Sequence, residues 1–169
     1  DAAGNGNTLS NTLNWTYDNT APTVVLSGAP VSGYANSAQT ITATFSEVMN
    51  LSTLSSADVN VTNGSVSSFS CSGSPTTCTF TVTASAQGTV TVAMSGSVAQ
   101  DNAGNNNTAA MNITWVHDTT APTIASDAPG TGGSAFGSSI TSSSTVNVDV
   151  TFSEAIQTSS VTAADFTVA

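Results

Sequence analysis

The chain contains no lysine and no arginine, and one histidine stands against ten acidic residues in 169, for a formal net charge of −10. Without basic side chains it cannot build the positive surface that nucleic acids or anionic membranes require. It also offers trypsin-like proteases no cleavage point, folded or unfolded. No run of 18 or more apolar residues occurs, which argues against a membrane-spanning helix. No charged n-region followed by an apolar h-region opens the chain, although a fragment would have lost its signal peptide. Cysteine is nearly absent, with Cys71 and Cys78 alone, so a zinc site of the Cys/His type lacks ligands. The single His117 has Tyr17 as its counterpart one repeat earlier, which suits a linker or rim residue. No Ser/His/Asp or Cys/His set can be assembled, and no catalytic residue is expected.

What the chain does have is hydroxyls, amides and repetition. There are 27 Ser, 29 Thr and 15 Asn. Eight of the ten acids form four matched pairs. Asp1 and Asp101 open Asp-Ala-Ala-Gly-Asn and Asp-Asn-Ala-Gly-Asn, while Asp18 and Asp118 open Asp-Asn-Thr-Ala-Pro and Asp-Thr-Thr-Ala-Pro. Glu47 and Glu154 end Thr-Phe-Ser-Glu, and Asp58 and Asp165 follow alanine in Ala-Asp-Val and Ala-Asp-Phe; only Asp127 and Asp149 are unmatched. The first two pairs repeat at an offset of 100 and the last two at 107, which places about seven extra residues near 130–144. This register divides the chain into the closing strand of a preceding module at 1–18, a complete module at 19–118, and the first part of a following module at 119–169. A module of that length can bury a core of its own, and the two end pieces cannot. The chain therefore reads as a window on a longer array.

Apolar residues alternate with a period of two. Ile41, Ala43 and Phe45 share one face and threonines the other; Phe80 with Val82, and Val90 with Val92, do the same, as do Met111, Ile113 and Trp115. Threonine suits the wet face of a strand, because its β-branch fits the pleat and its hydroxyl stays hydrated. Seven strands are expected, at 23–27, 39–46, 58–62, 64–70, 78–84, 88–95 and 107–117. Asn63-Gly64 and Ser85–Gly88 read as hairpin turns between them. Seven short antiparallel strands in about 100 residues point to an all-β, immunoglobulin-like sandwich. Phe45, Phe80, Val82, Val90, Val92, Ile113 and Trp115 are its expected core, and Trp15 occupies the position matching Trp115. Cys71 and Cys78 bracket a turn-rich loop and can meet as a disulfide, which points to an oxidising, extracytoplasmic setting. The alternative is a pair of buried free thiols. Six Asn-x-Ser/Thr sequons are no more than composition gives by chance, and Gly130-Thr-Gly-Gly133 reads as a turn, not a phosphate cradle.

Taken together, Asp-Thr-Thr-Ala-Pro122, Thr-Phe-Ser-Glu47, Ala-Asp-Val-Asn-Val-Thr-Asn-Gly64 and Asp-Asn-Ala-Gly-Asn105 resemble the bacterial Ig-like repeats of large secreted adhesins and biofilm surface proteins. The resemblance covers essentially the whole chain. It implies tandem sandwich modules forming an extended stalk, secreted or at the cell surface and often stiffened by calcium at the junctions. It does not imply a receptor.

Strand parity gives a separate argument about the acids. In an antiparallel sandwich, the end of strand 39–46, the start of strand 58–62 and the loop 96–106 all fall at the pole where strand 23–27 begins. Glu47, Asp58 and Asp101 should therefore gather there with Asp18 of the incoming linker. Calcium accepts carboxylates, amide oxygens and carbonyls, six to eight in all, so Asp18, Glu47, Asp58, Asp101 and Asn105 form the expected calcium site. Asp118, Glu154 and Asp165 form the parallel set of the next module. Ordinary turn chemistry is the competing account of each acid, since Asp101 can close an Asx turn and Asp18 can fix the linker.

The expected function is a non-enzymatic stalk segment of an extracellular bacterial adhesin, with neighbouring Ig-like modules of the same chain as partners. One alternative is a subunit of a self-assembling extracellular filament or sheath, with other copies in a fibre as partners. The other is a carbohydrate-binding accessory module, for which Tyr17, Tyr34 and Phe136 are the candidate exposed aromatics.

Overall fold

A computed structural model describes residues 2–8, 11–129 and 148–167, which carry ten strands. They are β1 (Val24–Ser27), β2 (Tyr34–Ala35), β3 (Gln39–Phe45), β4 (Val59–Thr62), β5 (Gly64–Ser72), β6 (Thr77–Ala84), β7 (Gly88–Met94), β8 (Ile113–His117), β9 (Ile124–Pro129) and β10 (Val148–Phe152). The chain divides into two units, Asp1–Thr119 with β1 to β8 and Thr120–Ala169 with β9 and β10. The extra residues expected near 130–144, the turn at Gly130, Phe136 and Asp1 lie outside the described residues.

In the first unit one sheet runs β1-β3-β6-β5 and the other β2-β8-β7-β4. The alternation read from the sequence is what joins them. β3 turns Ile41, Ala43 and Phe45 inward, β6 turns Cys78, Phe80 and Val82, and β7 turns Val90, Val92 and Met94. Trp115 of β8 meets them at 3 % exposure, and Ile113 packs partly buried at the margin. This is the immunoglobulin-like arrangement, two sheets, antiparallel except for β2, over one core.

Four details depart from the sequence reading. First, the chain changes sheets between β1 and β2, and β2 runs parallel to β8 through Tyr34↔Val116 and Ala35↔His117. Gly28 makes the departure from β1 feasible: its φ is +102°, and a Cβ there would overlap the Thr40 carbonyl oxygen. Second, Asn63-Gly64 is not a hairpin. It links β4 in one sheet to β5 in the other, and Ser85–Gly88 likewise links β6 to β7 across the sandwich. The two crossings are tied together, because the Asn63 side chain donates to the Ala86 carbonyl (2.9 Å) and accepts from the Ala86 amide (3.1 Å). The hairpin is β5–β6, closed by the disulfide between the directly paired Cys71 and Cys78.

Third, the last strand begins at Ile113 and not at 107, and Met111 is 89 % exposed. Asn107 accounts for this. Its buried side chain bonds the backbone at Ser95, Val98, Ala99 and Thr108, holding the 95–108 segment as a loop. Fourth, Trp15 does not enter the core of the first unit. It is 77 % exposed and packs edge-on against Tyr17, with ring centroids 6.5 Å apart. Its counterpart Trp115 is buried because β8 turns it into the core shared by the two sheets.

The second unit repeats the opening of the first. β9 pairs antiparallel with β10 as β1 does with β3. Thr123 N–H donates to Ser153 Oγ (3.0 Å) and Ser153 N–H to the Thr123 carbonyl (2.8 Å). Thr23 and Ser46 make the same reciprocal pair at 3.0 and 2.9 Å.

Candidate metal centre

Three segments of the first unit meet at the pole where β1 begins. The incoming linker is docked through its backbone: Thr108 N–H donates to the Pro22 carbonyl (2.8 Å), and Pro22 itself is buried. Within the linker, Asp18 Oδ1 accepts the Thr20 N–H (2.9 Å), an Asx turn that aims the carboxylate. The Thr23–Ser46 pair then fixes the end of β3 beside the linker, where Glu47 follows. Thr76, fully buried, holds Glu47 and Met49 from below: its N–H donates to the Glu47 carbonyl (3.0 Å) and its Oγ1 accepts the Met49 N–H (2.9 Å).

The third segment is the loop from β7 to β8. Asp101 pairs with Met49 as an isolated bridge and is 2 % exposed. Its Oδ1 accepts the N–H groups of Ala103 and Asn105, both at 2.8 Å, while Oδ2 accepts Asn105 Nδ2 at 2.8 Å. The same Nδ2 donates to the Asp18 carbonyl (3.2 Å), strapping loop to linker.

The result brings Asp18, Glu47 and Asp101 together, with one carboxylate oxygen of each lying within 4.8 Å of the others. The electrostatics are unequal. Burial, then the charges of Asp18 and Asp101, push the Glu47 carboxyl above its ordinary range. For Asp101 burial also acts upward, but the bonds from the Asn105 side chain and from the Asn105, Ala103 and Gly104 backbone outweigh it and hold the carboxyl low. The two carboxyls are thus biased in opposite directions, Asp101 toward its ionised form and Glu47 toward its protonated form.

Of the residues expected to join them, Asp58 does not. Its Oδ2 accepts the Ser55 N–H (2.6 Å) and Ser55 Oγ (3.2 Å), forming a capping box on the 3₁₀ turn Ser56–Asp58. Parity puts Asp58 at the correct pole, but its carboxylate is not among the three that converge there, and its Oδ2 caps its own turn. Asn105 reaches the group as a donor, its amide nitrogen facing Asp101, rather than as an oxygen ligand. In the second set Asp165 repeats the Asp58 turn, and its three acids are not brought together among the described residues. Asp165 closes the same box with Thr162, at 2.7 Å from its N–H and 3.0 Å from its Oγ1. Glu154 is half-buried, with Oε1 lacking a hydrogen-bond partner among the described residues. Asp118 Oδ1 accepts Gln87 Nε2 (3.2 Å). The pairing of Asp58 with Asp165 is thus a recurrence of turn chemistry, and Ser-x-x-Asp and Thr-x-x-Asp are its signature. Thr76 and Asn107 carried no signal, since a lone Thr or Asn in a Thr- and Asn-rich chain is unremarked.

The donor set fits a hard cation. Calcium–oxygen bonds of about 2.3–2.6 Å allow two ligands of one ion to stand up to about 5 Å apart, and the three carboxylates meet that limit. They supply oxygen only, and three ligands leave the other positions to carbonyls or water.

No curated protein matches the chain. Among solved structures it is similar to the N-terminal part of the bacterial S-layer protein SbsC, at 20% identity and a TM-score of 0.42 over 68% of this chain. The chain spans 27% of that one. The profile of the bacterial Ig-like domain matches residues 18–116, more than half of the chain. With that match and the two-sheet topology agreeing, the chain belongs to the bacterial Ig-like domain family.

Proposed function

We propose that the chain is a non-enzymatic stalk segment of an extracellular bacterial adhesin, built from tandem Ig-like modules whose junctions calcium stiffens. The observation that carries this is the meeting of Asp18, from the linker, with Glu47 and Asp101, from the module, within 4.8 Å in a chain that has no Lys or Arg to neutralise them. A cation there ties the linker to the module. Without it, mutual repulsion favours release of the linker carboxylate. The tandem reading is supported by the second unit, which repeats the first unit's opening strand pair, Thr–Ser bracket and capping box. On this reading, module boundaries fall near 18–19 and 118–119. The disulfide fits an oxidising location outside the cytoplasm or at the cell surface.

Calcium titration by calorimetry, with small-angle scattering of the full chain in calcium and in chelator, tests the proposal. Calcium should bind and reduce the spread of chain dimensions, while far-ultraviolet circular dichroism stays unchanged. Asp18→Ala combined with Asp101→Ala should reproduce the chelated state. Identical scattering in calcium and chelator would leave the three acids as turn residues only.

A further inference from the structure

The opposite pole of the first unit carries a second set of contacts that no part of the calcium reading uses. Gln87 sits in the turn between β6 and β7, and both ends of its amide grip the outgoing linker. Nε2 donates to Asp118 Oδ1 (3.2 Å), and Oε1 accepts the Thr119 N–H (2.8 Å). The linker is also held from the other sheet edge, because Asp118 N–H donates to the Ala35 carbonyl at the end of β2 (2.9 Å). The turn that presents Gln87 is itself braced. Asn63, at φ +58°, bonds Ala86 through both ends of its own amide, and Ser85 N–H donates to the Asn63 carbonyl (3.2 Å). A continuous series of hydrogen bonds therefore runs from the β4–β5 crossing, through the β6–β7 turn, to residues 118 and 119.

An amide suits this position. Glutamine can donate to a carboxylate and accept from a backbone N–H at once, with two atoms about 2.3 Å apart, and it carries no charge to add to the acids. A glutamate there would turn oxygen toward Asp118. Asp118 is also the repeat counterpart of Asp18, the linker carboxylate of the acidic group.

We propose that Gln87 is a positioning residue for the outgoing linker: it sets the direction in which the chain leaves the module and pre-aims Asp118 for use by the module that follows. The second half of this statement rests on the tandem-stalk reading; the first half does not. The clamp operates without any cation.

The test is amide hydrogen exchange in the full chain, read at Thr119, for wild type, Gln87→Ala and Gln87→Glu, each in calcium and in chelator. Gln87 is exposed, so the fold should tolerate both changes; unchanged protection at Val90 and Val92 monitors this. Gln87→Ala should speed exchange at Thr119 roughly fivefold, the worth of one net hydrogen bond, equally in calcium and in chelator. Gln87→Glu should exceed that at neutral pH and fall back toward wild type when the new carboxyl is protonated. Unchanged exchange at Thr119 in both variants, with Val90 and Val92 still protected, overturns the clamp. Loss of protection at Val90 and Val92 as well would also overturn it, by making Gln87 a residue of the fold. A normal Gln87 effect at Thr119 alongside scattering that is identical in calcium and in chelator would retain the clamp and reject the calcium reading; unchanged Thr119 exchange in both variants alongside calcium-dependent scattering would do the opposite.

Discussion

Asn107 gives the sharpest test of how the loop bearing Asp101 is built. Its side chain is 3 % exposed and makes four hydrogen bonds to backbone. Oδ1 accepts from Val98 (3.0 Å) and Ala99 (2.9 Å), and Nδ2 donates to the carbonyls of Ser95 (2.9 Å) and Thr108 (2.8 Å). Asn107→Ala strips all four partners at once. A buried backbone group left unpaired costs about 1–3 kcal/mol, but Ser95 is exposed and Val98 half-buried, so water can reach part of the set. The expected loss is therefore about 3–5 kcal/mol, at the upper end for a single substitution and a large share of the roughly 5–15 kcal/mol that holds a domain folded. Urea unfolding followed by circular dichroism should show a lower midpoint with an unchanged slope. Asn107→Asp is the informative companion, since it keeps an acceptor for Val98 and Ala99 but turns oxygen toward two carbonyls. It should be no more stable than the alanine variant at pH 7 and should recover as its carboxyl gains a proton to donate. If both variants unfold within about 1 kcal/mol of wild type, water replaces the amide freely and Asn107 does not hold the loop.

Asp58→Ala should lose the capping-box contact and about 0.5–2 kcal/mol of stability without altering calcium affinity, as calorimetry would show; weakened binding would return Asp58 to the metal centre. Reducing the Cys71–Cys78 bond should lower stability by about 2–2.5 kcal/mol on the loop-entropy account while leaving the β-signal intact. Phe80→Ala, at the centre of the core, should cost about 3–5 kcal/mol; a loss under 1 kcal/mol in urea would contradict the packing. In chelator, Glu47 and Asp101 should act on pH dependence with opposite signs. The raised Glu47 carboxyl favours the folded state below its unfolded-state pKa, a benefit lost as pH rises through the elevated folded value. The lowered Asp101 carboxyl favours folding above its unfolded-state pKa, and that is lost as pH falls through the depressed folded value. Glu47→Gln should therefore raise stability at pH 7 without calcium, and Asp101→Asn should lower it.

Much of this architecture is legible in the residues, and the exceptions have physical causes. Alternation identified the inward faces of β3, β6 and β7 because burial in a sheet has a period of two, and one buried face leaves a clean record. Parity alone brought Asp18, Glu47 and Asp101 to one pole, since it needs only strand count and direction. It could not say which carboxylates were already engaged, and Asp58 shows why: a Ser three residues upstream competes for it locally. Turn chemistry marked the chain reversals at Asn63-Gly64 and Ser85–Gly88, but the hairpins expected there are crossings between the two sheets. It carries no information on whether the next strand joins the same sheet or the facing one. β2 escaped notice because two residues cannot display a period, and Met111 was misread because Asn107 diverts the backbone from the ladder before it.

The switch of sheets after Gly28 has a mechanical consequence. Pulling on the chain at both linkers draws β1 and β2 toward one pole and β8 toward the other. β2 and β8 lie side by side and parallel, so their contacts resist by sliding in shear rather than by peeling. Tyr34 and Ala35 face Val116 and His117, and the Gly33 and Ala35 carbonyls accept the N–H groups of Val116 and Asp118 at 2.8 and 2.9 Å. In shear these bonds take the load together, whereas an antiparallel terminal pair pulled at its open end would give way one bond at a time. The hairpin closed by Cys71 and Cys78 lies outside that load path. Tension that reaches β2 would thus be borne by a patch of a few residues, Gly33 to Ala35 against Val116 to Asp118.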